Sequence, residues 1–148
     1  MKVLTIQQPY ATLIAIGAKK IETRSWSTEY RGQLAIHSSK EFPVKNKSLL
    51  VEQPFRSVFD SNWSGKALMC GYILATCNLV SVLPILSSPT PLDAFYKSIY
   101  GVELTKNELA FGDYTPGRFA WILKDMEILD NPIPAKGMLG LWNLEFPK

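Results

Sequence analysis

Apolar and polar positions alternate in several short stretches, and this pattern predicts a sheet-rich chain with short helices. Residues 2–7 alternate as a first strand, and residues 33–38 alternate as a later one. Between them, Pro9 begins a helix at a position that proline favours, and Gly17 supplies the C-terminal stop. The first helix therefore leads directly into a charged segment that precedes the second of these strands.

The second half of the chain predicts longer strands. Residues 68–83 are too long and too rich in Ile, Leu, Val and Thr for one ordinary strand, so we expect this strand to bend or bulge. An amphipathic helix follows at residues 92–100, then a loop at 111–118 and strands at 119–129 and 139–145. About five to six strands with short peripheral helices indicate the α+β class and a small mixed β-barrel.

A single domain is expected over residues 1–148. The chain has 148 residues, 47% of them hydrophobic, which is enough for a core without disulfide support. Residues 39–66 are polar and carry two short helix-like patches, which indicates a variable insertion packed on the barrel. No stretch approaches the roughly 20 apolar residues of a membrane span, and the amino terminus lacks a signal-peptide pattern. We therefore expect a cytoplasmic protein without a membrane partner.

Charge is distributed unevenly along the chain, whose formal net charge is +3. Residues 1–66 contain ten Lys or Arg and five Asp or Glu, a balance of +5, whereas the remainder contains six and eight, a balance of −2. This asymmetry indicates a polyanionic partner at the amino-terminal half. The pI of about 8.8 does not reach the values above about 9 that are usual for dedicated nucleic-acid-binding domains.

Cysteine and histidine usage argues against metal and triad chemistry. In one extended strand, Cys70 and Cys77 would lie roughly 23 Å apart on opposite faces, so we expect free thiols rather than a disulfide. His37 is the only histidine, and no cluster of thiolates or carboxylates stands near it in the sequence. No metal site and no serine triad are therefore predicted, and a hydrogen bond at a strand end is the simpler role for His37.

The segment after the first helix carries the strongest chemical signal. Side chains of an extended chain alternate between two faces, so Ile21 and Thr23 would share one face. The opposite face would display charge beside an aromatic ring, through Lys20, Glu22, Arg24 and Trp26. Because guanidinium groups pair with phosphate and bases stack on aromatic rings, this face favours a nucleotide. The alternative is the solvated face of an edge strand.

Several further motifs stand in a fixed order along the chain. They are Gln8-Pro9, Gly17-x-Lys19-x-x-Glu22-x-Arg24, Trp26, Arg31-Gly32, a strand ending in His37, Gly71, Gly112-Asp113, Gly117-Arg118, Trp121 and Gly137-x-x-Gly140-Leu141-Trp142. Together they resemble the ASCH domain family, which belongs to the PUA-like superfamily. Within that family the chain is similar to small stand-alone members of the bacterial or phage type. The resemblance covers about residues 4–144, least at 39–66. It implies a PUA-like barrel with a cleft between the first helix, the charged strand and the loop at 112–118.

The resemblance also implies functions. Family members are described as binding RNA or other nucleic acids; one branch hydrolyses N4-acetylcytidine with a lysine, a threonine and a glutamate, and another is described as a metal-dependent ribonuclease. When the motif of that branch is matched to this sequence, its lysine corresponds to Lys19 and its threonine corresponds to Glu22, with Thr23 one place away. The glutamate has no counterpart that can be assigned. This departure from the family pattern argues against the amidohydrolase chemistry.

We therefore expect a module that binds RNA, or a nucleotide-like ligand, in a basic cleft. Trp26 is the first candidate for stacking on a base and Tyr114 the second. The full set of expected binding residues is Lys19, Lys20, Arg24, Trp26, Arg31, Tyr114 and Arg118.

The alternative function is a small hydrolase that acts on an N4-acylcytidine-like nucleoside or on RNA. Lys19 or Lys20 would then act with Glu22, since a carboxylate beside a lysine can activate water. No cofactor is expected, apart from magnesium if the chain is a nuclease. A plain ion pair between Lys20 and Glu22, or a protein-interaction barrel, is the non-catalytic alternative. The sequence leaves open which lysine faces the cleft, and it leaves open the oligomeric state.

Overall fold

The structure is a computed structural model, and it describes residues 1–63, 66–86 and 104–145. The strands are β1 (Lys2–Ile6), β2 (Ile21–Arg24), β3 (Gly32–Ser38), β4 (Tyr72–Pro84), β5 (Phe119–Pro134) and β6 (Leu141–Asn143). The helices are α1 (Tyr10–Ala15), α2 (Val44–Lys47), a 3-10 turn (Ser48–Val51), α3 (Phe55–Asn62) and α4 (Lys106–Ala110). The predicted helix at residues 92–100 lies outside the described residues.

All six described strands belong to one mixed sheet in the order β2-β5-β4-β3-β1-β6. β1 runs parallel to β3, and the other neighbouring pairs are antiparallel. The pairing of β4 with β5 shifts register at three places, and such bulges bend a strand and increase its twist. The sheet therefore curls into a half-barrel with short helices around it, which confirms the predicted α+β class and mixed barrel-like sheet.

The first helix forms as the sequence predicts. Pro9 occupies the position before α1, and the chain leaves the helix at Gly17, whose φ of +79° is a conformation that glycine adopts without strain. Leu13 and Ile14 are fully buried. Burial on this scale holds so short a helix, because a helix of two turns is unstable on its own.

The long strands differ from the prediction in their limits. β4 does bulge, but it begins at Tyr72, so Cys70 precedes the strand instead of facing away from Cys77 within it. Both cysteines are free thiols, as expected. β5 continues to Pro134 instead of ending at residue 129. Its pairing with β2 ends at Ile122, so one edge of β5 has no strand partner beyond that point among the described strands, and proline is tolerated at such an edge.

The polar segment 39–66 contributes α2, the 3-10 turn and α3. Phe55 of α3 packs against Leu13 of α1 and Phe111, with ring centroids of Phe55 and Phe111 4.9 Å apart. This aromatic cluster fixes α1 next to the loop that follows α4. In the described part of the chain, no helix has the length and apolar character needed to cross a bilayer.

Candidate functional site

A cleft of about 530 Å³ opens beside α1, β2 and the loop at 111–118. Residues 138–140, which precede β6, also line it. Its main ionisable and hydroxyl-bearing side chains are Tyr10, Glu22, Thr23, Arg24, Asp113 and Arg118. The volume falls within the roughly 300–1,000 Å³ that is usual for small-molecule sites.

Lys19 lies behind the cleft wall and does not line it. The side chain is fully buried, and Nζ donates to the carbonyl oxygens of Ile21 at 2.5 Å and Phe111 at 2.7 Å. The same Nζ is 3.6 Å from Oε1 of Glu22. Burial lowers the pKa of Lys19, while the carboxylates of Glu22 and Glu108 oppose that shift. With its hydrogen bonds directed inward, Lys19 holds β2, the loop and Glu22 in place.

Glu22 forms part of the floor of the cleft and is only 6% exposed. Oε1 accepts a hydrogen bond from the backbone N–H of Thr23 at 3.1 Å and faces the Lys19 amine. Oε2 accepts from Nη1 of Arg24 at 3.4 Å. A single carboxylate thus stands between two cations, an arrangement that fixes its orientation while leaving lone pairs for a ligand.

Thr23 lines the same cleft as Glu22, although strict alternation predicts opposite faces. β2 is an edge strand, and the loop at 111–118 folds around its free edge. The N–H of Asp113 donates to Oγ1 of Thr23 at 2.9 Å, and Nη2 of Arg118 donates to the Thr23 carbonyl at 3.2 Å. Gly112 allows this approach, because a Cβ there would lie 3.2 Å from Cγ2 of Thr23. The loop therefore brings both side chains to one cavity.

Besides Lys19, two more basic residues of the predicted set do not line the cleft. Lys20 is exposed, and its backbone N–H is held by the Glu108 carboxylate at 3.2 Å. The guanidinium of Arg31 donates to the carbonyls of Thr28 and Tyr30, both at 2.8 Å. Lys20 directly precedes β2, and it does not line the cleft that Glu22 lines.

The predicted stacking rings also lie away from the cleft lining. Trp26 packs edge-to-face on the buried Trp121, with centroids 4.8 Å apart, and the Arg24 guanidinium lies 5.7 Å from its ring. Tyr114 packs against the apolar cluster around Ile21. Of the predicted residues, the cleft brings together Glu22, Arg24 and Arg118, and Lys19 supports them from behind.

Glu108 and Tyr10 are site residues that the sequence analysis missed. The buried carboxylate of Glu108 accepts from the N–H of Ile21 at 3.0 Å as well as from Lys20, and burial raises its pKa against the pull of Lys19. The sequence does carry a signal for the helix start at this residue, because Thr105 and Glu108 have the spacing of a helix-capping pair. In the structure, Oγ1 of Thr105 accepts from the Glu108 N–H at 3.0 Å. Tyr10 follows Gln8-Pro9, and burial together with Glu22 raises the pKa of its hydroxyl.

His37 makes the hydrogen bonds of a strand end, as predicted. Nδ1 is 3.1 Å from Oγ1 of Thr5, and Nε2 is 2.7 Å from the Ala135 carbonyl. Nε1 of Trp142 donates to the same Thr5 hydroxyl at 3.0 Å. Because a carbonyl only accepts, Nε2 carries the proton, and Thr5 donates to Nδ1. These bonds tie β1, β3, the end of β5 and β6 into one unit.

Both carboxylates of the cleft lie beside a guanidinium group. Oε2 of Glu22 is 3.4 Å from Arg24, and Oδ2 of Asp113 is 3.5 Å from Nε of Arg118. Each carboxylate is therefore already paired with a guanidinium. Within residues 1–63, 66–86 and 104–145, no three His, Cys, Asp or Glu side chains come together in one cluster.

Comparison with known proteins gives three findings. The ASCH domain model matches residues 4–140. No curated protein sequence matches the chain. Among solved structures, the chain is similar to the ASCH protein of Zymomonas mobilis, with 17% identity, a TM-score of 0.49, and coverage of 90% of this chain and 72% of that one. A single-residue mutant of that protein gives 16% identity, a TM-score of 0.48, and coverage of 90% and 74%.

Proposed function

Because the chain belongs to the ASCH domain family, which is generally linked to RNA binding, we propose that it binds RNA by taking one nucleoside into the cleft. The observation that carries the proposal is the Glu22 carboxylate at the cleft floor beside the Arg24 guanidinium, 3.4 Å away. Together they offer fixed acceptors next to fixed donors. The edges of nucleobases carry the complementary pattern of donors and acceptors.

The carboxylate sets a preference among bases. Acidic side chains accept hydrogen bonds from exocyclic amino groups, as from N4 of cytosine, whereas uracil presents a carbonyl at that position. A carbonyl facing Glu22 would place two acceptors together in a site that is only 6% exposed at this residue. The cleft therefore favours an amino-bearing base over uracil.

A binding experiment with short labelled RNAs tests this proposal. Fluorescence anisotropy with C6, A6 and U6 hexamers should show weaker binding of U6 by the wild-type protein. Glu22→Gln keeps the shape and offers an amide N–H, so it should reduce the discrimination against U6 by a factor corresponding to about 1–3 kcal/mol. Glu29→Gln is the matched control, since Glu29 is exposed and does not line the cleft.

The outcomes separate the parts of the proposal. Equal binding of all three hexamers by the wild type and by Glu22→Gln would contradict base recognition by Glu22. Failure of the wild type to bind any hexamer at low salt would contradict RNA binding itself. Arg24→Ala should weaken binding of every hexamer, because it removes a donor that sits beside Glu22.

One observation favours a second function, removal of an acyl group from the N4 nitrogen of a cytidine. The hydroxyl of Thr23 and the carboxylate of Glu22 line the same cleft, with the Lys19 amine 3.6 Å behind Glu22. Positioned groups of this kind can activate water or a hydroxyl. Incubation with N4-acetylcytidine and chromatography of the released cytidine tests it. Turnover that survives in both Glu22→Gln and Thr23→Val would contradict this function.

A further inference from the structure

A second cavity, of about 1020 Å³, adjoins the cleft. The two share four lining residues, Thr5, Ser39, Met138 and Leu139, and we call this shared border the ridge. Thr5 lies near the end of β1, and Ser39 directly follows β3, the strand parallel to it. The second cavity therefore begins where the cleft ends, and a ligand longer than a nucleoside can occupy both.

The two cavities differ in charge. In the cleft, the formal charges of two pairs cancel, Glu22 with Arg24 and Asp113 with Arg118. The Lys19 amine behind Glu22 is fully buried, and its hydrogen bonds go to two carbonyl oxygens instead of to the cleft. The second cavity is lined by Lys40 and Lys136 and by a single acid, Glu41. Neither lysine forms an ion pair with any residue that the structure describes. The second cavity is thus the more favourable place for an anion, and the cleft the more favourable place for a neutral group.

The floor of the second cavity is held rigidly by the His37 hydrogen bonds to Thr5 and Ala135. Gly137 lies against the imidazole so closely that a Cβ there would be 2.8 Å from Cε1 of His37. Two of the four ridge residues are apolar and exposed, since Met138 is 56% exposed and Leu139 is 99% exposed. A fully exposed leucine between two cavities offers apolar contact to a ligand that crosses the ridge.

From the shared ridge and the division of charge, we infer that the second cavity binds the backbone phosphate adjacent to the nucleoside held in the cleft. Lys40 and Lys136 contact the phosphate. The sugar that joins this phosphate to the base in the cleft crosses the ridge against Leu139. The inference rests on the proposed function, which it extends by stating the path of the RNA backbone. Lysine is suited to this role because its ammonium group binds phosphate as a point charge.

The test compares two double variants by fluorescence anisotropy with the C6 hexamer over a series of salt concentrations. Lys40→Ala/Lys136→Ala removes both ammonium groups of the second cavity. Lys45→Ala/Lys124→Ala is the matched control, since it removes the same charge from exposed lysines that line neither cavity. For single strands the log–log salt slope falls by roughly 0.7 for each phosphate that the protein no longer neutralises.

We expect the Lys40/Lys136 double variant to bind C6 more weakly, with a salt slope lower in magnitude by about 0.7, the value for one phosphate, while the control retains the wild-type slope. Equal slopes for the two double variants would overturn the inference and leave the proposed function intact. Absence of wild-type binding to any hexamer would overturn the proposed function and this inference with it.

Leu139→Ser supplies an independent measurement on the ridge. Leu139 carries no charge and is fully exposed, so its replacement should lower affinity for C6 without changing the salt slope. Circular dichroism checks that the variant is folded. Unchanged affinity in the folded Leu139→Ser variant would overturn the part of the inference that takes the sugar across the ridge.

Discussion

The neutral form of His37 is hydrogen-bonded to Thr5 of β1 and to the carbonyl of Ala135, which directly follows β5. Nε2–H donates to the Ala135 carbonyl, and Nδ1 accepts from Thr5, whose hydroxyl also receives the Trp142 indole N–H. Protonation at Nδ1 would remove the acceptor that Thr5 uses. Burial lowers the pKa of His37 below its ordinary value, while the Ala135 carbonyl opposes the shift.

This environment predicts a loss of stability as the pH falls below about 6.5. The unfolded chain takes up the histidine proton first, with an ordinary pKa of about 6.5, so the free energy of unfolding declines from that pH down to the folded pKa. NMR of the single imidazole should give a midpoint below 6.5. Urea denaturation of wild type and His37→Gln over a range of pH isolates the contribution of the histidine to stability. Glu108 titrates in both proteins, so its contribution cancels in the comparison. A midpoint above 6.5 would contradict the assigned neutral state.

Because Lys19 is buried and Lys20 is exposed, we expect replacement of Lys19 to destabilise the protein far more than replacement of Lys20. Lys19→Met leaves the carbonyls of Ile21 and Phe111 without their donor and leaves Glu22 with one fewer cation. Breaking a buried charge pair by removing one partner costs about 3–5 kcal/mol. Lys20→Met, at an exposed position, should change the free energy of unfolding by no more than about 0.5 kcal/mol. Urea denaturation of both variants measures the difference, and equal stabilities would contradict the role given to Lys19.

At the scale of elements, Glu108 joins α4 to the start of β2. Its carboxylate accepts from the N–H groups of Lys20 and Ile21, 88 and 87 positions earlier in the chain. Glu108→Ala leaves these donors unsatisfied, at a cost of about 1–3 kcal/mol, whereas Glu108→Gln keeps an acceptor oxygen and should cost less. Thermal denaturation of the two variants checks this order of stability. A Glu108→Gln variant less stable than Glu108→Ala would contradict it.

The sequence predicts elements well where the signals are local. Pro9 and Gly17 bound the first helix, and the length of residues 68–83 with their content of Ile, Leu, Val and Thr indicates the bulged strand that β4 is. Predictions about the direction of side chains fail where the direction depends on distant residues. Lys19 turns inward to reach Phe111, 92 positions later, and Trp26 packs on Trp121, 95 positions later.

The sequence predicted some of the residues that line the cleft, but it did not predict all of them. Glu22, Arg24 and Arg118 belong to motifs visible in the sequence, and all three line the cleft. Thr23 joins them only because the loop at 111–118 folds around the free edge of β2. The ridge residue Leu139 carries no chemical signal at all, since an exposed leucine in a loop is recognisable only once two cavities are seen beside it.

At the scale of the whole molecule, the two thiols report on global unfolding. Cys77 is buried in β4, and burial raises its pKa to about 12. Cys70 is half-exposed before that strand, where burial raises its pKa and the charge of Lys47 opposes the shift. Since the thiolate is the reactive form, iodoacetamide at pH 8 should modify Cys70 alone in the native protein and both residues in denaturant. Mass spectrometry counts the adducts. Two adducts on the native protein would contradict the buried position of Cys77.

The pairing of β6 with β1 sets an order of events on the ribosome. β1 leaves the exit tunnel long before β6, yet Leu4 pairs with Leu141 and Val3 with Trp142. Until then, one edge of β1 stays open, and open strand edges invite pairing with other chains. Met138 and Leu139 immediately precede β6, so the part of the cleft lining that they form is completed late in translation. The cleft of a nascent chain therefore stays incomplete until β6 has emerged and paired with β1.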